Sequence, residues 1–418
     1  MGPLEGIRVI DLTTVVMGPF ATQTLGDFGA DIIKVEAPEG DMLRSIGPGK
    51  TPGMGALFMN ANRSKRSITL DIKLAAGREA FLRLCADADV LVCNVRPAAM
   101  ERLQLGYEDL ANVNPRLIYA ALVGYGETGP YAGRPAYDDL IQGATTLPYI
   151  YSRATGDEPR FVPSAVADRV VALYAIGAIT SALVERARTD KGQRVSVPMF
   201  ETMTAFMMGD HMGGLTFDPP LDSGGYSRQL SPYRRPYKTS DGYLCTAIFA
   251  DNHWARFLEA IGRTDLPRTD PRFADFQSRY AHIDEVNGWL YDIFQTRPTA
   301  EWMDLLINAD IPVTPMHDFQ SILTDPHLEA TGFFRFSEHP TEGRIREMAV
   351  PASFSRSVPT PSRPTPQQGA QGTEILHEIG YGDEEIAQLR AAGVLGPTTS
   401  GDEPGVARAE GQAAKSDP

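Results

Sequence analysis

The first 125 residues alternate between two hydrophobic periods. "GIRVIDL", "DIIKVE", "DVLVCNV" and "RLIYAALV" are short, nearly continuous apolar runs, the pattern of strands covered on both faces. Between them, "FATQTLGDFGA" and "AAGREAFLRLCADA" repeat apolar positions at three- and four-residue spacing and predict amphipathic helices. "AAMERLQLGYEDLANV" predicts one more helix, stopping near Asn114-Pro115 because the residue before a proline disfavours helical backbone. Strand and helix in alternation are the pattern of α/β folds with a parallel, doubly wound sheet.

Further on, a long apolar helix is predicted over 169–188. The basic residues and Gly of "RTDKGQ" suit its C-terminus, and "RVSVPM" then returns as a strand. From Gly213 to Arg235 the composition shifts to Gly, Pro, Ser, Tyr and Arg, which predicts a loop or a crossing between domains. Beyond it, a strand pair around "SDG" and the helical patterns "NHWARFLEAIG", "VNGWLYDIFQT" and "AEWMDLLINAD" predict a smaller α+β domain. The expected division is a large domain over 1–212, a linker over 213–236, a small domain over 237–320, and a return to the large domain over 321–396. Residues 397–418 carry no aromatic and no large aliphatic residue beyond one Val, so a disordered tail is expected.

A chain of 418 residues exceeds what one core serves, which agrees with two domains. No apolar run approaches bilayer-spanning length, so no membrane partner is expected. Glu5 and Asp11 break the pattern of a signal peptide, and Gly6 breaks that of myristoylation. Three cysteines without a close pair point to a reducing compartment, hence a cytoplasmic protein. A net charge of −14 argues against nucleic acid as a partner. "ANRSKRSITLDIK", with Arg63, Lys65, Arg66 and Lys73, is either a local anion site or a solvated charge run beside a strand. His211, His253, His282 and the other histidines lack metal-ligand spacing, so no metal is expected.

Two motifs carry candidate chemistry. "GYGETG" (124–129) matches G-x-G-x-x-G after a strand, but "PYAGRP" follows where a phosphate-binding helix should open. A glycine-rich substrate loop therefore replaces the dinucleotide reading. In "SAVADRVVALYAIG", Asp168 stands alone at the head of the apolar helix; read locally it is an N-cap, held ionised by free backbone N–H groups and the helix dipole.

Taken in order, "LEGIRVIDLTTVVMGPFATQTLGDFGADIIKVEAP", "NRSKRSITLDIK", "ADVLVCNVRPAAMERLQLGYEDL", "GYGETGPYAGRPAYD", "ADRVVALYAIGAITSALVERARTDKGQRVSVPMFE", "DGYLCTAIFADNHWARFLEAIG", "DPRF" and "ADIPVTPMHDF" resemble the family III CoA-transferases, the group of formyl-CoA and carnitine CoA-transferases with α-methylacyl-CoA racemase as a fold sibling. The resemblance spans about residues 4 to 395. It implies a Rossmann-like large domain built from both chain ends, a small α+β domain between them, and an interlinked homodimer. It also implies that Asp168 is a covalent nucleophile toward a donor acyl-CoA, with a carboxylic acid as acceptor and coenzyme A thioester as substrate rather than a permanently bound cofactor.

By the same resemblance, CoA contacts fall on Val15, Val16 and Met17, on Leu70, Asp71, Ile72 and Lys73, on Asn94 and Val95, and on Arg102, with Lys73 and Arg102 meeting phosphates. Tyr137 would line the acyl site, and the glycine loop at Ser223, Gly224 and Gly225 would offer N–H donors to an oxyanion. Ala37 replaces an Arg of formyl-CoA transferase, with Arg44 or the 63–66 cluster as candidate substitutes. Two alternatives remain: a racemase, which uses a His where Tyr137 stands in "AYD", and a CoA-binding protein without turnover.

Overall fold

The computed structural model describes residues 2–396; the tail expected to be disordered, 397–418, lies outside the described residues. Strands β1 (Arg8–Leu12), β2 (Asp31–Glu36), β3 (Lys65–Thr69), β4 (Val90–Cys93), β5 (Ile118–Val123) and β6 (Gln193–Pro198) form one sheet in the order β3-β2-β1-β4-β5-β6. Pairs β1–β2, β2–β3, β1–β4 and β4–β5 are parallel, in registers such as Val9↔Ile32 and Ile10↔Leu91. Strands β3, β4 and β5 are buried at every residue; β4 and β5 accordingly read as continuous apolar runs, whereas β3, "KRSIT", buries charged side chains that find internal partners. The order of strands reverses between β1 and β4, and the crevice at their carboxyl ends is where such sheets bind ligands.

Helices Met17–Asp27 and Ala75–Ala86 match the predicted ones. The single helix expected over "AAMERLQLGYEDLANV" is instead two, Pro97–Arg102 and Tyr107–Val113. Gln104 takes a left-handed φ of 53°, fully buried Leu105 plugs the core, and the Gly106 N–H donates to Asp109 Oδ2 at 3.1 Å to start the second helix.

The chain divides into two compact units, and not at the compositional change near 213. Among the described residues, the first holds 2–123, 172–197 and 336–396; the second holds 124–171 and 198–335. Residues 124–171 supply helices Asp138–Ala144 and Leu147–Thr155, and the run after β6 supplies helix Met199–His211. A three-stranded antiparallel sheet pairs Tyr237 with Leu244 and Leu244 with Pro315, over a core of Trp254, Phe257, Leu290, Phe294 and Trp302. In the first unit, the C-terminal helices Gly372–Glu378 and Asp383–Ala391 place Ile375, Leu376, Ile386 and Leu389 in one core with Ile10, Ile33 and Leu91.

Helix Val166–Thr189 is, contrary to the sequence expectation, long and apolar enough by length and composition to cross a membrane. It is half-buried in the fold: Val171, Ala172, Ala175, Ile179 and Ala182 face inward, and Arg186 anchors its far end to Asp89 at 2.7 Å. A core helix of a folded domain meets the same test of length and composition.

Candidate active site

Asp168 is the third residue of helix Val166–Thr189, not its N-cap. The capping interaction runs the other way: the Asp168 backbone N–H donates to Asp138 Oδ1 at 2.9 Å. Asp138 opens helix Asp138–Ala144, and one turn later the fully buried Gln142 donates to Asp138 Oδ2 at 2.6 Å. Gln142 also accepts from the Val162 N–H at 2.9 Å and donates to the carbonyls of Val162 and Ser164. One carboxylate and one amide thus pin the segment leading into the helix and fix where Asp168 sits.

Asp168 is 9% exposed, and among the described residues its carboxylate accepts no hydrogen bond. Burial, with the Asp138 charge added and Arg169 opposing, pushes its carboxyl up to about 7. The expectation of a carboxylate held ionised by a cap is overturned, because desolvation outweighs the first-turn dipole, worth about 0.3–1 kcal/mol. A buried carboxyl without a partner is costly, and such groups concentrate where chemistry uses them. Asp138, the residue that sequence reasoning passed over, was signalled only by the i, i+4 pair Asp138/Gln142.

Other expected residues of the second unit are placed as follows. Tyr137 immediately precedes Asp138 and is exposed. Gly224 and Gly225 take φ of 77° and 98°, so their glycine identity is required. Their N–H groups are already spent: Gly224 donates to Asp222 Oδ1 at 2.8 Å and Gly225 to the His211 carbonyl at 2.9 Å. In this conformation the loop offers no free donors to an oxyanion from those two residues. "GYGETG" is a loop held by Gly126 N–H donating to Glu201 Oε1 at 2.8 Å; the next helix starts only at Asp138.

The expected CoA contacts all lie in the first unit, and the structure gathers several at the strand-order reversal. Val15, Val16 and Met17 follow β1 and Asn94 and Val95 follow β4, on either side of the reversal; Leu70 to Lys73 follow the edge strand β3, and Arg102 ends helix Pro97–Arg102. Asn94 clasps the β1 loop, accepting from Thr14 N–H at 3.1 Å and donating to the Thr14 carbonyl at 2.9 Å. Val15 has a φ of 70°, uncommon for a β-branched residue, and its N–H donates to Asp41 Oδ1 at 3.3 Å. Leu70 and Met17 side chains are core, whereas Lys73 and Arg102 are exposed cations.

Beneath that loop lies a buried ionic network. Lys65 donates to Asp11 Oδ2, the Pro19 carbonyl and Asn62 Oδ1, each at 2.9 Å; Lys34 donates to the Thr13 carbonyl at 2.8 Å and Asp41 at 3.0 Å. Burial would raise the Asp11 carboxyl, but Lys65 and Lys34 outweigh it and hold it down at about 2. Burial pulls Lys65 down to about 8, which leaves it cationic at neutral pH. The basic cluster near 63–66 is therefore internal. Arg63 pairs with Asp27, Arg66 with Asp31, Glu374 and Glu378, and Arg44 with Glu36 at 2.7 Å, so none is free to replace the Arg absent at Ala37.

The sequence profile of CoA-transferase family III matches residues 4–372. The chain is 31% identical to the human succinyl-CoA:glutarate CoA-transferase, covering 94% of this chain and 90% of that one. It is 33% identical to the succinyl-CoA:mesaconate CoA-transferase of Haloarcula hispanica, over 91% and 98% of the two chains. Among solved structures it resembles a CAIB/BAIF family protein from Brucella suis, with a TM-score of 0.75 and 32% identity over 90% of this chain and 99% of that chain.

Proposed function

The chain belongs to CoA-transferase family III and is a transferase, and on that premise we propose that it moves CoA from a donor acyl-CoA to an acceptor acid through covalent intermediates on Asp168. The observation that carries this reading is the Asp168 carboxylate itself: buried, without a hydrogen-bond partner, and fixed through its backbone by Asp138. A desolvated carboxylate is a better nucleophile than a hydrated one, and its surroundings limit water, which would hydrolyse an acyl anhydride.

In the proposed sequence, an Asp168 oxygen attacks the donor thioester carbonyl and the C–S bond breaks, giving a mixed anhydride and CoA thiolate. The thiolate attacks the aspartyl carbonyl, expelling the donor as its carboxylate and leaving an aspartyl-CoA thioester. The acceptor carboxylate displaces CoA thiolate to form a second anhydride. Thiolate then attacks the acceptor's carbonyl, releasing the new acyl-CoA and free Asp168. Each activated acyl bond is exchanged for one of similar energy, so no nucleotide is consumed.

The substrates named for the two relatives support succinyl-CoA as donor and a dicarboxylic acid as acceptor. The crevice loop of Val15 to Met17 with Asn94, and the exposed cations Lys73 and Arg102, suit the nucleotide end of CoA. A homodimer is part of the reading, supported by Leu173, Tyr174 and Val184, which lie exposed on helix Val166–Thr189.

The test is trapping. Incubated with succinyl-CoA alone, the protein should release succinate and yield, after hydroxylamine, a hydroxamate on the Asp168 peptide by mass spectrometry. CoA exchange between succinate and glutarate that survives Asp168→Ala would sink the proposal, and deuterium wash-in at an α-carbon without CoA exchange would mark a racemase instead.

A further inference from the structure

We propose that the second unit carries a separate binding site for a small organic anion with an aromatic or branched apolar body. The site is the pocket where Arg228, Arg234, Arg235 and Arg279 converge beside Trp254 and Phe276. The pocket's cavity volume is about 100 Å³, and among the described residues no Asp or Glu lines it.

In a chain of net charge −14, three of these four cations are left unbalanced. Among the described residues, Arg228, Arg234 and Arg235 have no carboxylate partner. The Arg228 guanidinium lies 5.1 Å from the Phe249 ring centroid, and that of Arg235 lies 4.4 Å from the centroid of Tyr291. Ring contact uses a guanidinium's face and leaves its edge of N–H donors for a carboxylate or phosphate.

A buried donor points the same way. Arg279 is 6% exposed; it donates to the Phe273 carbonyl and pairs with Asp251, but among the described residues its Nε–H has no partner. Buried donors are ordinarily satisfied, so an unspent guanidinium nitrogen at the pocket wall marks a place for an acceptor. The Tyr237 side chain lines the same pocket and makes no hydrogen bond among the described residues, leaving its hydroxyl available to a ligand.

The remaining wall selects the body of the ligand. Ile283, Val286 and Leu290 of helix Ile283–Phe294, with Trp254 and Phe276, give an apolar face that a bare inorganic ion would leave wet. The helix Ser227–Leu230, which follows the glycine loop, contacts the pocket through Ser227 Oγ, which donates to the Tyr280 hydroxyl at 3.2 Å. The inference stands apart from the chemistry at Asp168 and does not depend on it.

The chain's three tryptophans, Trp254, Trp289 and Trp302, all lie in this unit and report on it directly. Full-length Asp168→Ala protein, which removes turnover, is titrated with phenylacetate and separately with inorganic phosphate while tryptophan fluorescence is followed. Saturable quenching by phenylacetate is expected, with phosphate weaker. Arg228→Gln or Arg235→Gln should weaken phenylacetate binding about tenfold with an unchanged far-ultraviolet spectrum; Arg234→Gln, at an exposed position, serves if either fails to fold. No saturable change, equal affinity for phosphate, or unaltered binding in the arginine variants would each overturn the proposal.

Discussion

Asp138 Oδ1 accepts the backbone N–H of Asp168 at 2.9 Å, so the group that fixes the proposed nucleophile also sets a second carboxylate beside it. Activity that requires ionised Asp168 should rise with pH through about 7 and then level off. Asp138→Asn keeps an oxygen acceptor for the N–H while removing the charge, so the midpoint of kcat/KM against pH should move to lower pH. An unmoved midpoint would show that Asp138 does not set the acidity of Asp168.

The same shift makes Asp168 a stability sensor. Its folded carboxyl sits at about 7, above the unfolded 3.8, so the folded state holds a proton that the unfolded chain has lost. Stability from this group is present at low pH and falls as pH rises from about 4 to 7, a penalty on the order of 4 kcal/mol at pH 8. Asp168→Asn should therefore raise the melting temperature at pH 8, and the gap over wild type should narrow at pH 5 in differential scanning calorimetry.

Lys65→Met strands the buried Asp11 carboxylate and should cost about 3–5 kcal/mol in urea unfolding. Replacing both partners, as Asp11→Leu with Lys65→Met, should recover part of that loss; a double variant weaker than the single one would contradict the pairing.

At the crevice, a Cβ on Gly18 would land on the Thr13 side chain and push the loop that follows β1. Gly18→Ala should raise KM for the donor thioester about tenfold, equivalent to about 1.4 kcal/mol, with kcat less affected. The loop can also be loosened from the other side by Asn94→Ala, which removes both contacts to Thr14. A KM unchanged in both variants would place the CoA nucleotide elsewhere.

Leu173, Gly177, Ser181 and Val184 form an exposed row on helix Val166–Thr189 at three- and four-residue spacing. If that row meets a second copy, Leu173→Glu with Val184→Glu should convert a dimer to a monomer in analytical ultracentrifugation. A monomeric wild type would remove the premise.

What the sequence revealed depended on how local the cause was. Strands buried on both faces announce themselves, and "DVLVCNV" became Val90–Cys93 within a residue or two at each end. The break at Gln104 did not, because a left-handed non-glycine residue is fixed by Leu105 filling the core. Arg63 and Arg66 looked like an anion site because their partners lie far along the chain: Glu378 is 312 residues from Arg66. The family resemblance singled out Asp168, but its protonation depends first on its burial and then on Asp138, 30 residues earlier in sequence and adjacent only in the fold. Helix 199–211 was missed altogether, since its apolar and polar residues are poorly segregated.

The return of residues 336–396 to the first unit has a consequence for synthesis. The six-stranded sheet has all its strands once Pro198 has been made, yet Ile375, Leu376, Ile386 and Leu389 of its core arrive only after about 180 further residues have been translated. At the usual 5–20 residues per second that is on the order of ten to forty seconds during which one face of the nascent sheet is open. The intervening second unit holds its own core in one continuous stretch from 237 to 313, so it can close first while the ends of the chain wait to meet. Arg66, whose carboxylate partners Glu374 and Glu378 come from that last segment, is one residue at which the two ends are joined, with Arg8 pairing to Glu378 beside it.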